Sequence, residues 1–310
     1  MSIDFTAPVP VDGYLWWYVD AISADARHAL SIIALVGSVF SPYYAGARRR
    51  GCGDPMQHCA LNVALYGPGR RWSMTERGRT QLHRSPSQLR IGPSVLDWDG
   101  SVLTLHVEEV AVPVPRRIRG RVRLRCPALN AQEFALDERG RHRWRPIAPV
   151  AHASVEFDHP RLAWEGAGYL DSNWGSEPLE HAFASWDWSR AALRDGSAAL
   201  LYDVVPRRGA TRGIALRVDE AGAVHGFTPP PPAGLPSTLW RVRRATRTDP
   251  GTHARVCSTL EDTPFYARST VEAHLLGESV TAMHESVSLE RFDTRWVQAL
   301  LPFRMPRRAG

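Results

Sequence analysis

The sequence predicts an all-β protein of antiparallel strands, arranged as barrels or sandwiches. Short apolar segments recur along the whole chain and are separated by turn residues. Several of these segments alternate apolar and polar residues, which is the period of a strand with one buried face. Glycine and proline, 24 of each, provide residues for the turns between strands.

In the first half, residues 14–22 and 29–40 predict a β-hairpin. The segment 41–57 is rich in glycine, proline and arginine and is expected to be a loop. Residues 58–67 form another apolar segment that ends in a Gly-Pro-Gly turn. The alternation is clearest in residues 94–126, where an Asp-Trp-Asp-Gly turn precedes two strands.

The last strand of that stretch carries arginine at every second position. The residues between the arginines are mostly apolar, so the two sets point to opposite faces of the strand. A solvated sheet face is the preferred interpretation, and a site for a polyanion or a lipid is the alternative. The arginines are Arg117, Arg119, Arg121, Arg123 and Arg125.

The second half continues as short strands separated by turn residues, and the last of them is expected at residues 296–305. A helix of one or two turns is expected at residues 186–194. The proline-dense segment 228–236 is interpreted as a stiff surface loop. The prediction is therefore strands throughout, with few short helices.

A domain boundary is expected at residues 146–160, where prolines interrupt the alternation. A chain of 310 residues can form one large domain or two of ordinary size, and two are preferred. The division is an N-terminal β-barrel at 1–150 and a C-terminal β-barrel at 151–310.

No membrane-spanning or secreted segment is expected. The longest apolar run, residues 29–40, is shorter than the roughly 20 residues that a spanning helix needs. The first residues contain no basic segment followed by an apolar one, so a secretory signal is not predicted. The expected location is the cytoplasm.

The chain contains no lysine, and all 38 cationic side chains are arginine. This composition excludes a Schiff base, a lysine-bearing phosphate loop and a Ser-Lys nucleophile. The net charge of +6 favours an anionic membrane surface as a partner. Nucleic acid is not expected as a partner, because no nucleic-acid-binding motif accompanies the charge.

The four cysteines show no close pair with metal-ligand spacing. His58 lies beside Cys59 and provides a third ligand near Cys52, but no second pair completes a zinc site. Cys126 and Cys257 stand alone. No metal site is predicted, and the thiols are expected to be reduced.

Residues 166–188 concentrate acids and aromatic side chains between turn residues. The sequence has no Gly-x-Ser-x-Gly nucleophile elbow, no His-Glu-x-x-His metal motif and no dinucleotide-binding glycine pattern. Acid and base chemistry remains. On a strand, Tyr169 and Asp171 share a face, and so do His142 and Trp144.

A neutral aspartic acid in an apolar surrounding can protonate a weak base, and aromatic faces can stabilise the cation formed. Asp171, Tyr169, His142 and Trp144 suit these roles. Structural interpretations stay open beside them: Asp171 as a turn cap, Tyr169 and Trp144 as core residues, and His142 as a surface residue.

Seven segments between Gly13 and Arg307 are long enough to identify a protein family: GYLWWYVDAIS, IIALVGSVFSPYYA, HCALNVALYG, RWSMTERG, GYLDSNWGSEPLE, FASWDWSR and LPFRMPR. In these segments the chain resembles the carotenoid 1,2-hydratases, also called hydroxyneurosporene synthases. The resemblance implies addition of water to the terminal C1,C2 double bond of acyclic carotenoids such as neurosporene or lycopene, without a redox cofactor. It also implies two lipocalin-like (calycin) β-barrels packed together.

By its motifs the resemblance selects the same four residues, His142 and Trp144 in RHRW and Tyr169 and Asp171 in GYLD. Asp171 is expected to be the general acid, at a site where the two halves meet. The tryptophans of the acidic and aromatic segment, Trp174, Trp186 and Trp188, are expected to contact the substrate or its cation.

The expected partners are the carotenoid, water, the membrane surface and other enzymes of the carotenoid pathway. The protein is expected to associate peripherally with the inner, photosynthetic membrane of a bacterium, with Arg48, Arg49 and Arg50 as one contact. Two other functions stay open, a lipocalin-like isomerase or cyclase of another polyene or terpenoid, and a carotenoid carrier without catalysis.

Overall fold

The computed structural model describes residues 3–308. The chain divides into two compact units, one of Met1–Pro178 with Gln298–Gly310 and one of Leu179–Val297. Almost all regular structure is β, as predicted. The strands are β1 Tyr14–Ser23, β2 Ala29–Val36, β3 Cys59–Tyr66, β4 Arg71–Arg77, β5 Leu82–Arg84, β6 Gln88–Ile91, β7 Ser94–Trp98, β8 Val102–Val110, β9 Arg117–Arg125, β10 Phe134–Ala135, β11 His142–His159, β12 Arg161–Gly175, β13 Phe183–Ala192, β14 Ala198–Pro206, β15 Arg212–Val218, β16 Val224–Gly226, β17 Pro232–Leu235, β18 Arg244–Arg247, β19 Arg255–Asp262, β20 Tyr266–Leu275, β21 Glu278–Ser288 and β22 Arg307–Arg308.

The helices are short. They are α1 Pro42–Arg49, α2 Leu179–Ala182, α3 Leu289–Phe292 and α4 Arg295–Arg304, with 3₁₀ turns at Pro55–Gln57 and Arg79–Gln81. In the described part of the chain, no helix is long and apolar enough to cross a membrane.

The first unit is one curled sheet with the strand order β22-β4-β3-β2-β1-β12-β11-β9-β8-β7-β6-β5, and β10 pairs with β11. Neighbouring strands are antiparallel except β22, which pairs with β4 in parallel. The sheet curls back on itself, because β3 contacts β6 and β4 contacts β8. The enclosed core receives side chains from both ends of this strand order. The predicted β1–β2 hairpin and the turn between β7 and β8 are confirmed.

Strand β1 is buried on both faces. One parity, Leu15, Trp17, Val19 and Ala21, belongs to the enclosed core. The other parity points away from that core and is buried as well. Its members are Tyr14, Trp16, Tyr18 and Asp20.

The predicted boundary at residues 150 and 151 falls inside β11, and the two units divide after Pro178 instead. Strand β11 pairs with β12 on one side and with β9 on the other, so residues 146–160 are held in the sheet. Register shifts occur between Pro146 and Ala148 and between Ala148 and Ala151. A proline has no N–H to donate to the neighbouring strand, and the register of the strand can shift at that point. The prolines of this segment therefore lie at bulges of a continuous strand and do not mark a linker between domains.

The arginines of β9 are confirmed as a solvated sheet face. The five arginine side chains are exposed, while Ile118, Val122 and Leu124 are buried in the core. Two of the arginines form exposed ion pairs, Arg117 with Glu108 at 2.7 Å and Arg121 with Glu156 at 2.8 Å.

The second unit is a sheet with the order β16-β15-β14-β13-β21-β20-β19, accompanied by the two-stranded ribbon β17–β18. An apolar cluster that includes Leu201 and Leu275 forms its core. The ribbon is fixed by charged contacts, since the Arg247 guanidinium lies 2.7 Å from a carboxylate oxygen of Asp203. The prediction of an all-β fold with few short helices is confirmed.

Three segment predictions were wrong. Residues 186–194, expected to be helical, form most of β13, because this segment pairs with β14 and β21 on its two sides. Residues 296–305, expected to be a strand, lie mainly in α4. The expected loop 41–57 contains α1, whose N terminus is capped by the Ser41 side chain and begins with Pro42.

Candidate active site

Three adjacent strands, β1, β12 and β11, place the predicted acid among aromatic side chains. In the antiparallel register Tyr18 lies opposite Asp171, and Asp20 lies opposite Tyr169. Paired residues project to the same side of a sheet, so all four side chains share one face. Trp144 of β11 lies opposite Asn173 of β12 and joins the same face. This is the face that points away from the enclosed core.

Asp171 is 4% exposed, and its Oδ2 accepts hydrogen bonds from a tryptophan and a tyrosine. The Trp144 indole Nε1 donates to Oδ2 at 2.9 Å, and the Tyr169 hydroxyl donates to Oδ2 at 2.8 Å. Hydrogen bonds to a charged group in a buried setting are stronger than bonds between neutral groups. The two donors therefore stabilise a negative charge on Oδ2.

The Tyr169 hydroxyl stays protonated. Burial raises the pKa of Tyr169 well above its usual value, and the charges of Asp171 and Asp20 raise it further. Tyr169 is fully buried. It acts here as a hydrogen-bond donor and not as an acid.

His142 sits at the start of β11 and is fully buried. Its Nδ1 shares a hydrogen bond of 2.9 Å with the Tyr14 hydroxyl, and its Nε2 lies 3.6 Å from Oε1 of Glu177. Burial lowers the pKa of His142, and the nearby acids Asp137 and Glu177 oppose this shift. The imidazole is therefore mainly neutral at ordinary pH, when it can donate one hydrogen bond and accept another.

Gly175 creates the space for the Tyr14–His142 pair. A Cβ at this position would lie 2.6 Å from a Tyr14 ring carbon and 2.7 Å from His142 Nδ1. Any side chain here would push the two rings apart. Gly175, the last residue of the GYLDSNWG segment, therefore leaves room for the Tyr14–His142 hydrogen bond.

A second buried carboxylate belongs to the same face. Asp20 is 0% exposed, and its Oδ2 accepts a hydrogen bond of 2.9 Å from the Tyr18 hydroxyl. The rings of Tyr18 and Tyr169 meet edge to face with their centroids 6.0 Å apart. Each carboxylate is thus bonded by the tyrosine two residues before it on its own strand.

Comparison with known proteins places the chain in a family. Residues 32–310 match the family described as Carotenoid hydratase CrtC. The chain belongs to the carotenoid hydratase family. It is 56% identical over 308 residues to the acyclic carotenoid 1,2-hydratase of Thiocapsa roseopersicina, covering 99% of this chain and 76% of that protein. It is 54% identical over 308 residues to the protein of the same name from Rubrivivax gelatinosus, covering 98% of this chain and 76% of that protein.

Two solved structures share the fold of this carotenoid hydratase family member. An AttH-like protein of Nitrosomonas europaea aligns with a TM-score of 0.59 and 15% identity, covering 89% of this chain and 92% of that one. Kievitone hydratase of Nectria haematococca aligns with a TM-score of 0.53 and 11% identity, covering 95% and 97%. At these identities the likeness concerns the fold alone.

The structure brings three of the predicted residues into direct contact, Asp171, Tyr169 and Trp144. His142 lies on the same strand as Trp144, two residues before it, and is bonded to Tyr14. All four belong to the first unit.

The predicted tryptophans are arranged differently. Trp174 has the opposite parity to Asp171 on β12 and packs against the enclosed core of the first unit. Trp186 and Trp188 belong to the second unit, where both are buried on β13 at positions two apart. The indole Nε1 of Trp186 donates a 3.0 Å hydrogen bond to Glu285.

Sequence reasoning missed the contribution of β1. The signal was present, because Tyr14, Trp16, Tyr18 and Asp20 occupy one parity, while the other parity begins with four apolar residues, Leu15, Trp17, Val19 and Ala21. Glu177 was not selected from the sequence either, although it forms a 2.7 Å ion pair with Arg141 and approaches His142.

In residues 3–308, no group of three or more His, Cys, Asp or Glu side chains is arranged to hold a metal ion. The cysteines carry free thiols, of which Cys52 and Cys257 are exposed and Cys59 and Cys126 are buried.

Proposed function

We propose that this protein adds water to the terminal C1,C2 double bond of an acyclic carotenoid, such as neurosporene or lycopene, and forms the 1-hydroxy-1,2-dihydro product. One observation carries the proposal: a buried aspartate, fixed by Trp144 and Tyr169, lies on an aromatic face in a member of the carotenoid hydratase family. Relatives at 56% and 54% identity bear the name acyclic carotenoid 1,2-hydratase.

Asp171 is the general acid. Its Oδ2 accepts from Trp144 and Tyr169, so the proton for transfer is carried on Oδ1. Oδ1 delivers this proton to C2 of the alkene, and the two donors stabilise the carboxylate that remains. The reaction changes no net oxidation state, so it requires a proton donor and acceptor and no redox cofactor.

Protonation at C2 leaves a positive charge on the tertiary carbon C1. Aromatic faces on this side of the sheet, among them those of Trp16, Tyr18 and Trp144, suit a cation, and each such contact contributes on the order of 1 kcal/mol. Water then bonds to C1 and loses a proton. The neutral His142, held by Tyr14, orients this water.

We infer that the protein collects its substrate at an anionic membrane surface, because a carotenoid resides in the bilayer. Leu239 and Trp240 of the second unit are 96% and 45% exposed, and Trp296 is 46% exposed and stacked on Trp240 at 6.2 Å. The loop is ordered by Asp262, which accepts the backbone N–H of Leu239 at 2.8 Å. Exposed tryptophans beside arginines are typical of proteins that bind the membrane interface.

The arginines of this surface are Arg241, Arg243 and Arg295, all exposed. In the first unit, Arg49 and Arg50 at the end of α1 are exposed as well, whereas Arg48 is half-buried with its guanidinium 4.6 Å from the Tyr44 ring centroid. Arg49 and Arg50 are thus the members of the predicted triplet that can reach anionic lipid.

The function is tested by incubating the purified protein with lycopene in isotopically labelled water, with chromatography and mass spectrometry of the pigment. We expect a product with one labelled hydroxyl group for each hydrated end. Recovery of unchanged pigment would indicate a carrier, and an unlabelled cyclic product would indicate a cyclase. Either result contradicts the proposal.

A further inference from the structure

We propose that Asp20 is the base that accepts the proton of the attacking water, an assignment that rests on the hydration reaction proposed for Asp171. Asp20 lies on β1 and Asp171 on β12, and these two strands are neighbours. The acid and the base would thus come from opposite ends of the first unit's sequence.

The register places the two carboxylates diagonally. Asp20 is opposite Tyr169 and Asp171 is opposite Tyr18, so each acid sits beside the tyrosine that is bonded to the other. The Cα atoms of diagonal neighbours on antiparallel strands lie about 7–8 Å apart. In inverting glycosidases one carboxyl group acts as the acid and a second acts as the base, with room for one water between them, and we assign the same division of roles to these two carboxyl groups.

Asp20 is a buried acidic residue. The side chain is 0% exposed and lies on the face that points away from the enclosed core. The Tyr18 hydroxyl donates a hydrogen bond to its Oδ2, which partly satisfies this buried carboxyl group and fixes its orientation. A carboxyl oxygen with a fixed orientation can accept a proton from a water positioned beside it.

The proton balance is complete with these two groups. Asp171 gives its proton to C2, so a C–H bond forms while the O–H bond of Asp171 and the π bond between C1 and C2 break. Water forms a C–O bond to C1 and transfers one proton to Asp20, which leaves the alcohol. A proton then returns from Asp20 to Asp171, so each cycle consumes one water and releases no net proton.

The test is Asp20→Asn, which keeps the size of the side chain and its capacity for a hydrogen bond but removes the basic oxygen. Lycopene is incubated in deuterated water, and two quantities are measured: the rate of hydration, and deuterium at C2 of the recovered lycopene. Deuterium enters recovered substrate when Asp171 donates to C2 and the cation loses a proton again. This second readout reports the acid step independently of water capture.

For Asp20→Asn we expect hydration to fall by about 10²–10⁴-fold, the usual contribution of a general base, while deuterium still enters the recovered lycopene. Asp171→Asn should lose both signals, which separates the two assignments. Ser31→Ala is the matched control, because Ser31 is buried and pairs with Asp20 across β1 and β2 but carries no acid or base. Its hydration rate should stay within about twofold of the original protein.

Two results would overturn the assignment. If Asp20→Asn hydrates lycopene at nearly the original rate, another group accepts the proton. If a folded Asp20→Asn protein loses hydration and deuterium incorporation together, Asp20 supports the acid step and is not the base. If the unaltered protein forms no hydroxylated product, it is the hydration reaction itself that fails.

Discussion

The indole Nε1 of Trp144 donates a hydrogen bond of 2.9 Å to Oδ2 of Asp171, from β11 to the neighbouring strand β12. This bond ties the two sequence segments that were selected separately, RHRW and GYLD, into one site. It also gives Trp144 a polar role in addition to its aromatic face. The two roles can be separated by substitution.

Trp144→Phe keeps an aromatic ring and removes the donor. Hydrogen bonds to charged groups contribute about 1.5–3 kcal/mol, so we expect the hydration rate to fall by roughly 10- to 100-fold. The measurement is the rate of hydroxylated product formation from lycopene. The control is Trp98→Phe, a buried core tryptophan, which should lose stability but keep most of its activity. An unchanged rate for Trp144→Phe would show that the indole N–H does not assist the acid.

Asp171→Asn removes the transferable proton with little change in shape. We expect loss of hydration by at least about 10²-fold, because a positioned general acid contributes about that much or more. Product analysis and thermal unfolding are measured together. Asp158→Asn, on an exposed side chain, should match the original protein in both. A folded Asp171→Asn protein with full activity would contradict the assignment of Asp171 as the general acid.

Gly175→Ala tests the packing of the Tyr14–His142 pair. The added methyl would meet Tyr14 at 2.6 Å and His142 at 2.7 Å, so we expect a loss of about 1–3 kcal/mol of unfolding free energy and reduced activity. The matched control is Gly226→Ala in β16, where a Cβ meets no atom within 4 Å. Equal denaturation midpoints for the two variants would contradict the packing argument.

Membrane binding is tested by flotation with anionic vesicles. Replacement of Leu239 and Trp240 by serine removes exposed apolar area, so the bound fraction should fall severalfold and added salt should lower it further. Val114→Ser, at another exposed apolar residue, should leave binding unchanged. Equal flotation of all three proteins would show that this surface is not the membrane contact.

The second unit contains a pair with opposed pH dependence. Burial raises the pKa of Asp187 to about 6 and lowers the pKa of His284 to about 4, and His284 Nε2 lies 3.9 Å from Asp187 Oδ1. His284 contributes stability that is present above its unfolded pKa and is lost as pH falls towards 4. A raised carboxyl pKa acts in the opposite direction, because protonation of Asp187 favours the folded state as pH falls through 6.

Asp187→Asn should therefore leave the His284 effect unopposed. We expect the urea midpoint of this variant to fall more steeply between pH 6.5 and pH 4 than that of the original protein, although it starts from a comparable or higher value. Urea unfolding at several pH values measures this slope. Parallel curves for the two proteins would contradict the opposed titration.

The sequence alone determined which side chains share a face on a single strand. Tyr169 with Asp171, and His142 with Trp144, follow from a two-residue period that is local and visible in the chain. The same period places Trp174, three positions from Asp171, on the opposite face of β12, which argues against a contact between Trp174 and the cation. The family resemblance was equally local, since it depended on short continuous segments.

Only the tertiary structure decided which strands are neighbours. Asp20 lies opposite Tyr169, although the two residues are far apart in the sequence. Tyr14 likewise reaches His142 only because β1, β12 and β11 are adjacent in the sheet. Strand order is set by long-range backbone pairing, which no short segment encodes. The same pairing kept residues 146–160 inside β11, where the sequence had suggested a boundary. The alternation thus fixed each residue's face, and the pairing of distant strands brought a second carboxylate to the acid.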